Sequence, residues 1–220
     1  MSSNVKVRVF ELIIGGSTQP WNNVGIHFDH NGRFMAGEVA LQVDNQLAPG
    51  IHGWSLLDSV MQTSSIDGIP TTHSSDHSLV IPPIQFRVDG FSLDISQIDH
   101  IVVATDNLIR TSDSLSEATG APRLRIREGD DGVQQAFHRM GEVIIEIVTG
   151  PDVGNTQASI WGIAFLATDL DNAAEFLGPE VLGKSKPATQ KGQVVASFRS
   201  AAGLGVPCVL MADVARIGNQ

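Results

Sequence analysis

The sequence predicts an α+β fold that is built from repeated β-α-β-β-β modules. The prediction rests on a segment that occurs twice: residues 98–148 and residues 160–211 share one plan, in which apolar strands surround a single amphipathic helix. Four strands and one helix cannot bury both faces of their sheet alone. We therefore expect the two copies to lie side by side.

In the first copy, an apolar strand over 100–105 leads into a helix over 106–119. Gly120 closes this helix and Pro122 follows it, which is a common order of residues at a helix C-terminus. Three further strands complete the copy, at residues 124–127, 133–139 and 142–148.

In the second copy, residues 163–168 form the short apolar run that is typical of a buried strand. Residues 169–178 begin with acidic residues, carry apolar residues at helical spacing and end in glycine, so they predict a helix. Two later strands are expected, at residues 193–199 and 206–212.

The N-terminal part of the chain, residues 1–62, predicts a degenerate third module. Residues 34–43 resemble residues 138–147, with Gln42 in the place of Glu146. Residues 17–23 leave little room for a full helix. An odd number of modules would leave one sheet without an internal partner, so we expect a homodimer.

A Ser/Thr-rich stretch with Gly and Pro, residues 63–79, predicts a linker or a long surface loop. The first complete module then extends over 80–150, with additional strand expected at 86–88 and 91–93. The second complete module extends over 156–213.

The composition excludes several classes of partner. The formal net charge is −10 and Lys and Arg form no block, which argues against a nucleic-acid partner. No apolar run reaches the roughly 18–20 residues that a membrane span needs. The N-terminus lacks the features of a signal peptide. The single cysteine, Cys208, excludes an intrachain disulfide and is expected to be a buried, inert thiol. A cytoplasmic location fits these observations.

Several motifs resemble the vicinal-oxygen-chelate (VOC) superfamily, which includes glyoxalase I, extradiol dioxygenases, methylmalonyl-CoA epimerase and bleomycin-binding proteins. They are Asp99-His100-Ile101-Val102-Val103, Leu108, Gly141-Glu142-Val143-Ile144-Ile145-Glu146 and Trp161-Gly162-Ile163-Ala164-Phe165. The layout is similar to actinobacterial-type glyoxalase-like proteins. The resemblance implies that paired modules form a half-open barrel, in which the first and last strands of each module supply ligands to a divalent metal.

Carried over by residue, the resemblance places His100 and Glu146 at two of the four ligand positions. The other two positions hold Gly162 or Ile163, depending on the alignment, and Leu210. Catalytic metal sites usually keep three protein ligands. Three interpretations stay open: a bound divalent metal (Zn, Ni, Mn, Fe or Co), an inherited polar pair in a metal-free pocket, or a structural role.

Histidines elsewhere are candidates for a third ligand. His138 would stand beside Glu146 if their strands pair, and it is a candidate for substrate binding, although its position favours a half-exposed strand histidine. His73 and His77 have the spacing of a helical metal pair, but their Ser- and Thr-rich surroundings are typical of a loop.

Two further residues are candidates for substrate binding. Trp161 opens the first strand of the second copy and could stack on a planar ligand, or it could belong to a core or an interface. Arg199 corresponds to His138 in the second copy. An inward-facing arginine would hold a carboxylate or phosphate with a bidentate fork, whereas an outward one would be solvated.

Two functions follow from these alternatives. The first is a glyoxalase-like, metal-dependent lyase, isomerase or epimerase that acts on a small α-oxygenated acid or carbonyl compound, with His100 and Glu146 as catalytic residues and metal ligands. In it, the metal would polarise a substrate oxygen. The second is a metal-free pocket that binds a small planar or hydrophobic molecule, as resistance and sequestration proteins do.

Overall fold

The computed structural model describes residues 6–75, 91–129, 132–154 and 157–213 of the chain. Over these ranges, mixed β-sheets carry a few short helices. The predicted α+β class is confirmed. No helix in the described ranges combines the length and the apolar character that a membrane crossing requires.

The first sheet lies in the N-terminal part of the chain. Its strands are β1 (Arg8–Gly15), β2 (Arg33–Ala36), β3 (Val39–Asp44), β4 (Gly50–Leu57), β5 (Ser65–Ile66) and β6 (Ile69–Ser74). Helix α1 (Gln19–Asn23) is a single short helix after β1. The strand order is β2-β3-β1-β4-β6-β5.

The second sheet contains the two complete modules. Its strands are β7 (Ile95–Ala104), β8 (Arg125–Glu128), β9 (Gln134–Met140), β10 (Val143–Thr149), β11 (Ser159–Ala167), β12 (Lys186–Pro187), β13 (Gln193–Ser197) and β14 (Cys208–Asp213). Helix α2 (Leu108–Thr119) follows β7, and helix α3 (Leu170–Leu177) follows β11. The strand order is β12-β13-β14-β11-β7-β10-β9-β8.

Each complete module follows the same pairing plan. Its first strand runs parallel to its last strand, as in β7 with β10 and β11 with β14. The last strand then pairs antiparallel with the strand before it. The strands and helices agree with the predicted ones within a few residues, except that β12 was not predicted and that β7 and β11 begin several residues earlier.

Local sequence explains where the helices begin and end. The side chain of Asn107 accepts a hydrogen bond from the Arg110 amide at the start of α2, and Asp169 accepts one from the Asn172 amide at the start of α3. Gly120 ends α2 in the left-handed conformation, at φ 74°, as its sequence position predicts.

The N-terminal sheet differs from the prediction after residue 50. The predicted linker over 63–79 contains β5 and β6, which form an antiparallel hairpin. Strand β6 also pairs in parallel with β4. This segment therefore repeats part of the module plan, a first strand that is parallel to the last and a hairpin, without a helix.

Polar residues concealed this segment in the sequence. Along β6, Ile69 and Thr71 are buried while Pro70 and Thr72 are exposed, so the strand alternates with few apolar residues. Gly53 is required for the pairing of β4 with β6, because a Cβ there would lie 2.5 Å from the carbonyl oxygen of Pro70.

The predicted strand over 91–93 is not formed: residues 91–94 are irregular. The Leu93 amide donates to the carbonyl oxygen of Gly25, 2.9 Å away. A side chain at Gly25 would collide with Leu93, since a Cβ there would lie 2.8 Å from the Leu93 nitrogen. The strand expected at 86–88 lies outside the described residues.

The chain divides into two compact units. The first comprises Met1–Ile13, Ile51–Ile81 and His100–Gly162, and the second comprises Ile14–Gly50, Pro82–Asp99 and Ile163–Gln220. In the first unit, helix α2 contacts β5, β9 and β10. In the second unit, α3 contacts β14, and α1 contacts the 3₁₀ turn Ser200–Ala202.

Candidate functional site

Strands β8, β9 and β10 and residues 100–104 of β7 lie in the first unit, and they have one buried face and one open face. Alternate residues such as Ile101, Ile145 and His138 are buried, and helix α2 contacts two of these strands. The opposite face carries the half-buried or exposed side chains of the alternate positions. We call it the open face; among its members are His100, Val102, Ile144, Glu146, Val148, Gln135, Phe137, Arg139, Arg125 and Arg127.

The register of the strands arranges the open face in rows. In the central row, Phe137 stands between Arg125 on β8 and Glu146 on β10. Val102 on β7 continues the row beyond Glu146. Residues that pair across neighbouring strands project to the same side of the sheet. The side chains of this row therefore share one surface.

The two flanking rows follow the same rule. One contains Arg139, Ile144 and His100, and the other begins with Arg127, Gln135 and Val148. Together the rows form an apolar floor with a polar centre, and three arginines lie toward the β8 and β9 side.

The polar centre is a network around the Glu146 carboxylate. Oε2 of Glu146 lies 3.6 Å from Nε2 of His100, and Oε1 accepts a hydrogen bond from the Gln135 side-chain amide. The His100 and Glu146 side chains are 21% and 15% exposed. The structure therefore brings the imidazole and the carboxylate together in a partly desolvated position, where a hydrogen bond is stronger than in water.

Arg125 lies over the open face. Its guanidinium carbon is 4.5 Å from the centroid of the Phe137 ring, which is a cation–π contact. Among the described residues, no carboxylate forms an ion pair with Arg125 or Arg127. These cations therefore keep hydrogen-bonding capacity for another group.

The structure does not bring His138 to the open face. His138 pairs with Ile145, one position away from the expected pairing with Glu146, and its side chain is 0% exposed. The reason is the two-residue turn Gly141-Glu142, which pairs Met140 with Val143. A register that differs by one residue moves a strand side chain to the other face.

His138 has a structural environment under α2. Its Nε2 lies 2.8 Å from the Ser112 hydroxyl, and its Nδ1 lies 3.1 Å from the carbonyl oxygen of Ala121. Burial lowers the pKa of His138, and the Ala121 carbonyl opposes part of that shift. These contacts favour a neutral, buried histidine.

The other predicted substrate contacts are exposed. Trp161 is 56% exposed and lies one residue before Gly162, so it points to the opposite side of β11 from Gly162. Arg199 belongs to the second unit and directly precedes the 3₁₀ turn. Its amide donates to the carbonyl oxygen of Val181.

His73 and Cys208 have structural environments. Nδ1 of His73 lies 2.6 Å from the Ser59 hydroxyl, and its Nε2 lies close to the Thr63 backbone, so His73 holds the segment that replaces a helix after β4. His77 lies outside the described residues. Complete burial strongly raises the pKa of the Cys208 thiol, which agrees with the prediction of an inert thiol.

The second complete module offers no ligands at the corresponding positions. Val209 pairs with Ala164 and Leu210 pairs with Phe165, so the closing strand presents apolar groups in either alignment. In the described ranges, no group of three or more His, Cys, Asp and Glu side chains is placed to hold a metal ion. His100 and Glu146 alone fall short of the usual three protein ligands. The donor set therefore does not fit a resident catalytic metal.

Sequence analysis missed Gln135, Phe137 and Arg125 as members of the site. A signal for them existed, because Arg125 and Arg127 alternate with Ile126 and Glu128, which indicates a strand with basic residues on one side. The two-residue turn at Gly141-Glu142 would then have placed Phe137 opposite Glu146. The pairing register of β9 with β10 was needed to place these residues in the site.

Comparison with known proteins identifies the fold. No family model matches the sequence, and no curated protein matches it. A mutant of 4-hydroxymandelate synthase from Streptomyces coelicolor superposes with a TM-score of 0.63 and 11% identity, over 94% of this chain and 92% of that chain. This likeness shows the fold alone. The predicted fold of paired β-α-β-β-β modules is confirmed.

Shorter structures match part of the chain. Methylmalonyl-CoA epimerase from Mycobacterium tuberculosis matches with a TM-score of 0.47 and 15% identity, over 58% of this chain and 93% of that chain. A methylmalonyl-CoA epimerase in complex with methylmalonyl-CoA matches with a TM-score of 0.46 and 20% identity, over 58% and 100%.

Proposed function

We propose that this chain binds a small molecule on the open face and holds it with protein side chains rather than through a resident metal ion. The observation that supports the proposal is the network of His100, Glu146 and Gln135. Both carboxylate oxygens have protein neighbours, so part of the hydrogen-bonding capacity of Glu146 is used by protein side chains. Small-molecule sites typically combine an apolar lining with a few placed polar groups.

The ligand that fits this face carries a hydrogen-bond donor. Glu146 is an acceptor when ionised, and His100 can act as donor or acceptor. An apolar body would lie on Val102, Ile144 and Val148, which are half-buried. A hydroxyl or amine on that body would reach the polar centre. The substrate-binding roles of Trp161 and Arg199, the homodimer and the cytoplasmic location stay predictions.

A metal-dependent lyase, isomerase or epimerase is the second candidate. It is favoured by one observation, the approach of Nε2 of His100 to within 3.6 Å of the Glu146 carboxylate. Imidazole and carboxylate are a suitable mixture for divalent transition metals. This activity would require a third ligand beyond the residues the structure describes. The present donor set therefore supports the binding protein better.

Binding of a neutral probe tests the proposal. We expect 4-(hydroxymethyl)benzamide to shift the backbone amide signals of His100, Gln135 and Glu146 in NMR spectra of ¹⁵N-labelled protein. Glu146→Gln should weaken this binding by about tenfold or more, because a hydrogen bond to a charged group contributes roughly 1.5–3 kcal/mol. The matched control is Glu142→Gln, since Glu142 is exposed in the turn that precedes β10. Signals that move only elsewhere, or equal effects of the two variants, would contradict the proposed site.

A further inference from the structure

The arginines of the open face restrict the class of ligand. The chain has 24 acidic and 14 basic side chains, yet Arg125, Arg127 and Arg139 share this one face. Arg123, the neighbouring basic residue, does not join them: it donates to Ser112 and Asp113 on helix α2. Arg123 lies before the first residue of β8, so it does not follow the alternation of the strand, and its contacts are with α2.

These arginines are not compensated by carboxylates of the same face. Within the paired registers of β7 to β10, Glu146 is the one carboxylate on this side of the sheet, because Glu128 alternates with Arg127 and faces away. Arg139 donates to the backbone carbonyl of Glu142. The open face therefore carries a local excess of positive charge, although the chain as a whole is acidic.

The geometry separates the cations from the polar centre. Neighbouring strands lie about 4.8 Å apart, so the backbones of Arg125 and Glu146, two strands apart, are separated by about 10 Å. Phe137 stands between them, and the Arg125 guanidinium lies over its ring. A ligand that spans this row would meet a cation at one end and a carboxylate with an imidazole at the other.

We propose that the open face binds a small organic oxyanion, in which a carboxylate or phosphoryl group contacts Arg125 and Arg127 and a hydroxyl or amine at the far end of a compact apolar body contacts Glu146 and His100. The proposal rests on the proposed function and adds the charge and polarity of the ligand. Arginine suits this role because its planar fork matches the oxygens of both anions. The stacking of Arg125 on Phe137 restrains its side chain and lowers the entropy lost on binding.

A matched series of probes tests the proposal by the same NMR titration. The probes are 4-(hydroxymethyl)benzoate, 4-(hydroxymethyl)phenyl phosphate and the neutral 4-(hydroxymethyl)benzamide. We expect one or both anions to bind about tenfold more tightly than the amide, as charge-assisted hydrogen bonds imply. The anion that binds more tightly shows whether the site prefers a carboxylate or a phosphoryl group. The double variant Arg125→Gln/Arg127→Gln should abolish this preference, so that the anions bind it no more tightly than the amide does.

The control removes the same charge elsewhere. Lys186→Gln/Lys191→Gln changes two exposed lysines of the second unit, and the preference for the anion should persist in it. Equal affinity for anions and amide, with shifts at His100 and Glu146, would overturn the oxyanion proposal and leave the proposed site intact. Loss of the preference in the lysine variant would also overturn it, because the effect would then be one of net charge. Absence of shifts at the open face with all three probes would overturn both proposals.

Discussion

Asp67→Ala is expected to lower the free energy of unfolding by about 2–3 kcal/mol, because it removes a half-buried carboxylate that joins a hairpin to a helix. Oδ1 of Asp67 accepts a hydrogen bond from Nε of Arg110 at 2.8 Å, and Oδ2 accepts one from the Thr111 hydroxyl. The Asp67 side chain is 11% exposed. The hydrogen bond from Arg110 to this carboxylate raises the pKa of the guanidinium.

The backbone adds to this effect. Asp67 has φ 46° and Gly68 has φ 93°, so both residues of the turn between β5 and β6 adopt left-handed conformations. Asp and Asn tolerate this region, whereas alanine does not favour it. Asp67→Asn should therefore cost about half as much as Asp67→Ala, because the turn residue is retained and only the charge is lost.

Chemical denaturation measures this series. The matched control is Asp106→Asn, which removes the second carboxylate of Arg110, 2.8 Å away but 39% exposed, and it should cost at most about 0.5 kcal/mol. An Asp67→Ala variant as stable as the wild type would mean that the β5–β6 hairpin is not fastened to α2 in the way described here.

Acidification is expected to destabilise the protein through His138. Burial lowers the pKa of this histidine in the folded state, with the Ala121 carbonyl, Arg123 and Asp113 as smaller influences. Between the lowered folded pKa and the ordinary value near 6.5, the unfolded chain binds a proton that the folded chain does not. The contribution of His138 to the free energy of unfolding is therefore fully present above about pH 6.5. It falls as the pH decreases, by up to about 1.4 kcal/mol per pH unit.

His138→Gln separates this contribution from that of the other titrating groups. Glutamine is neutral at every pH and can donate to the Ala121 carbonyl and accept from the Ser112 hydroxyl. We expect its unfolding free energy, measured in urea between pH 5 and pH 7.5, to depend less on pH than that of the wild type. His30→Gln removes an exposed histidine and should keep the wild-type slope. Parallel slopes for wild type and His138→Gln would contradict the account.

The two complete modules could be predicted from the sequence because their periodicity is strong. Apolar runs, the spacing of Leu170 and Ala173, and the glycines that end the helices indicate each element directly. The segment after residue 50 could not be predicted in the same way. Its strands are short, and Thr71 occupies a core position where a hydrophobic residue is expected. The hairpin of β5 and β6 in this segment depends on the pairing of β6 with β4.

The site illustrates the limit of strand periodicity. His100 and Glu146 were predicted to meet, and the structure places them 3.6 Å apart. His138 was expected beside Glu146, but a turn one residue shorter or longer reverses the face of every residue on β9. The same register places Gln135 and Phe137 on the open face and His138 on the buried face. Sequence alone gave the types of residue but not the register.

Ligand binding in the presence of a chelator distinguishes a metal-free site on the open face from a metal centre. We would measure the affinity of chelator-free protein for 4-(hydroxymethyl)benzamide before and after addition of excess EDTA, and the content of Mn, Fe, Co, Ni and Zn in the same sample. The open face as described here predicts an unchanged affinity and metal well below about one equivalent, since two side chains are too few to retain a catalytic ion. Affinity that is lost in EDTA and restored by one divalent ion, but not in His100→Ala, would contradict the account and support the metal-dependent enzyme.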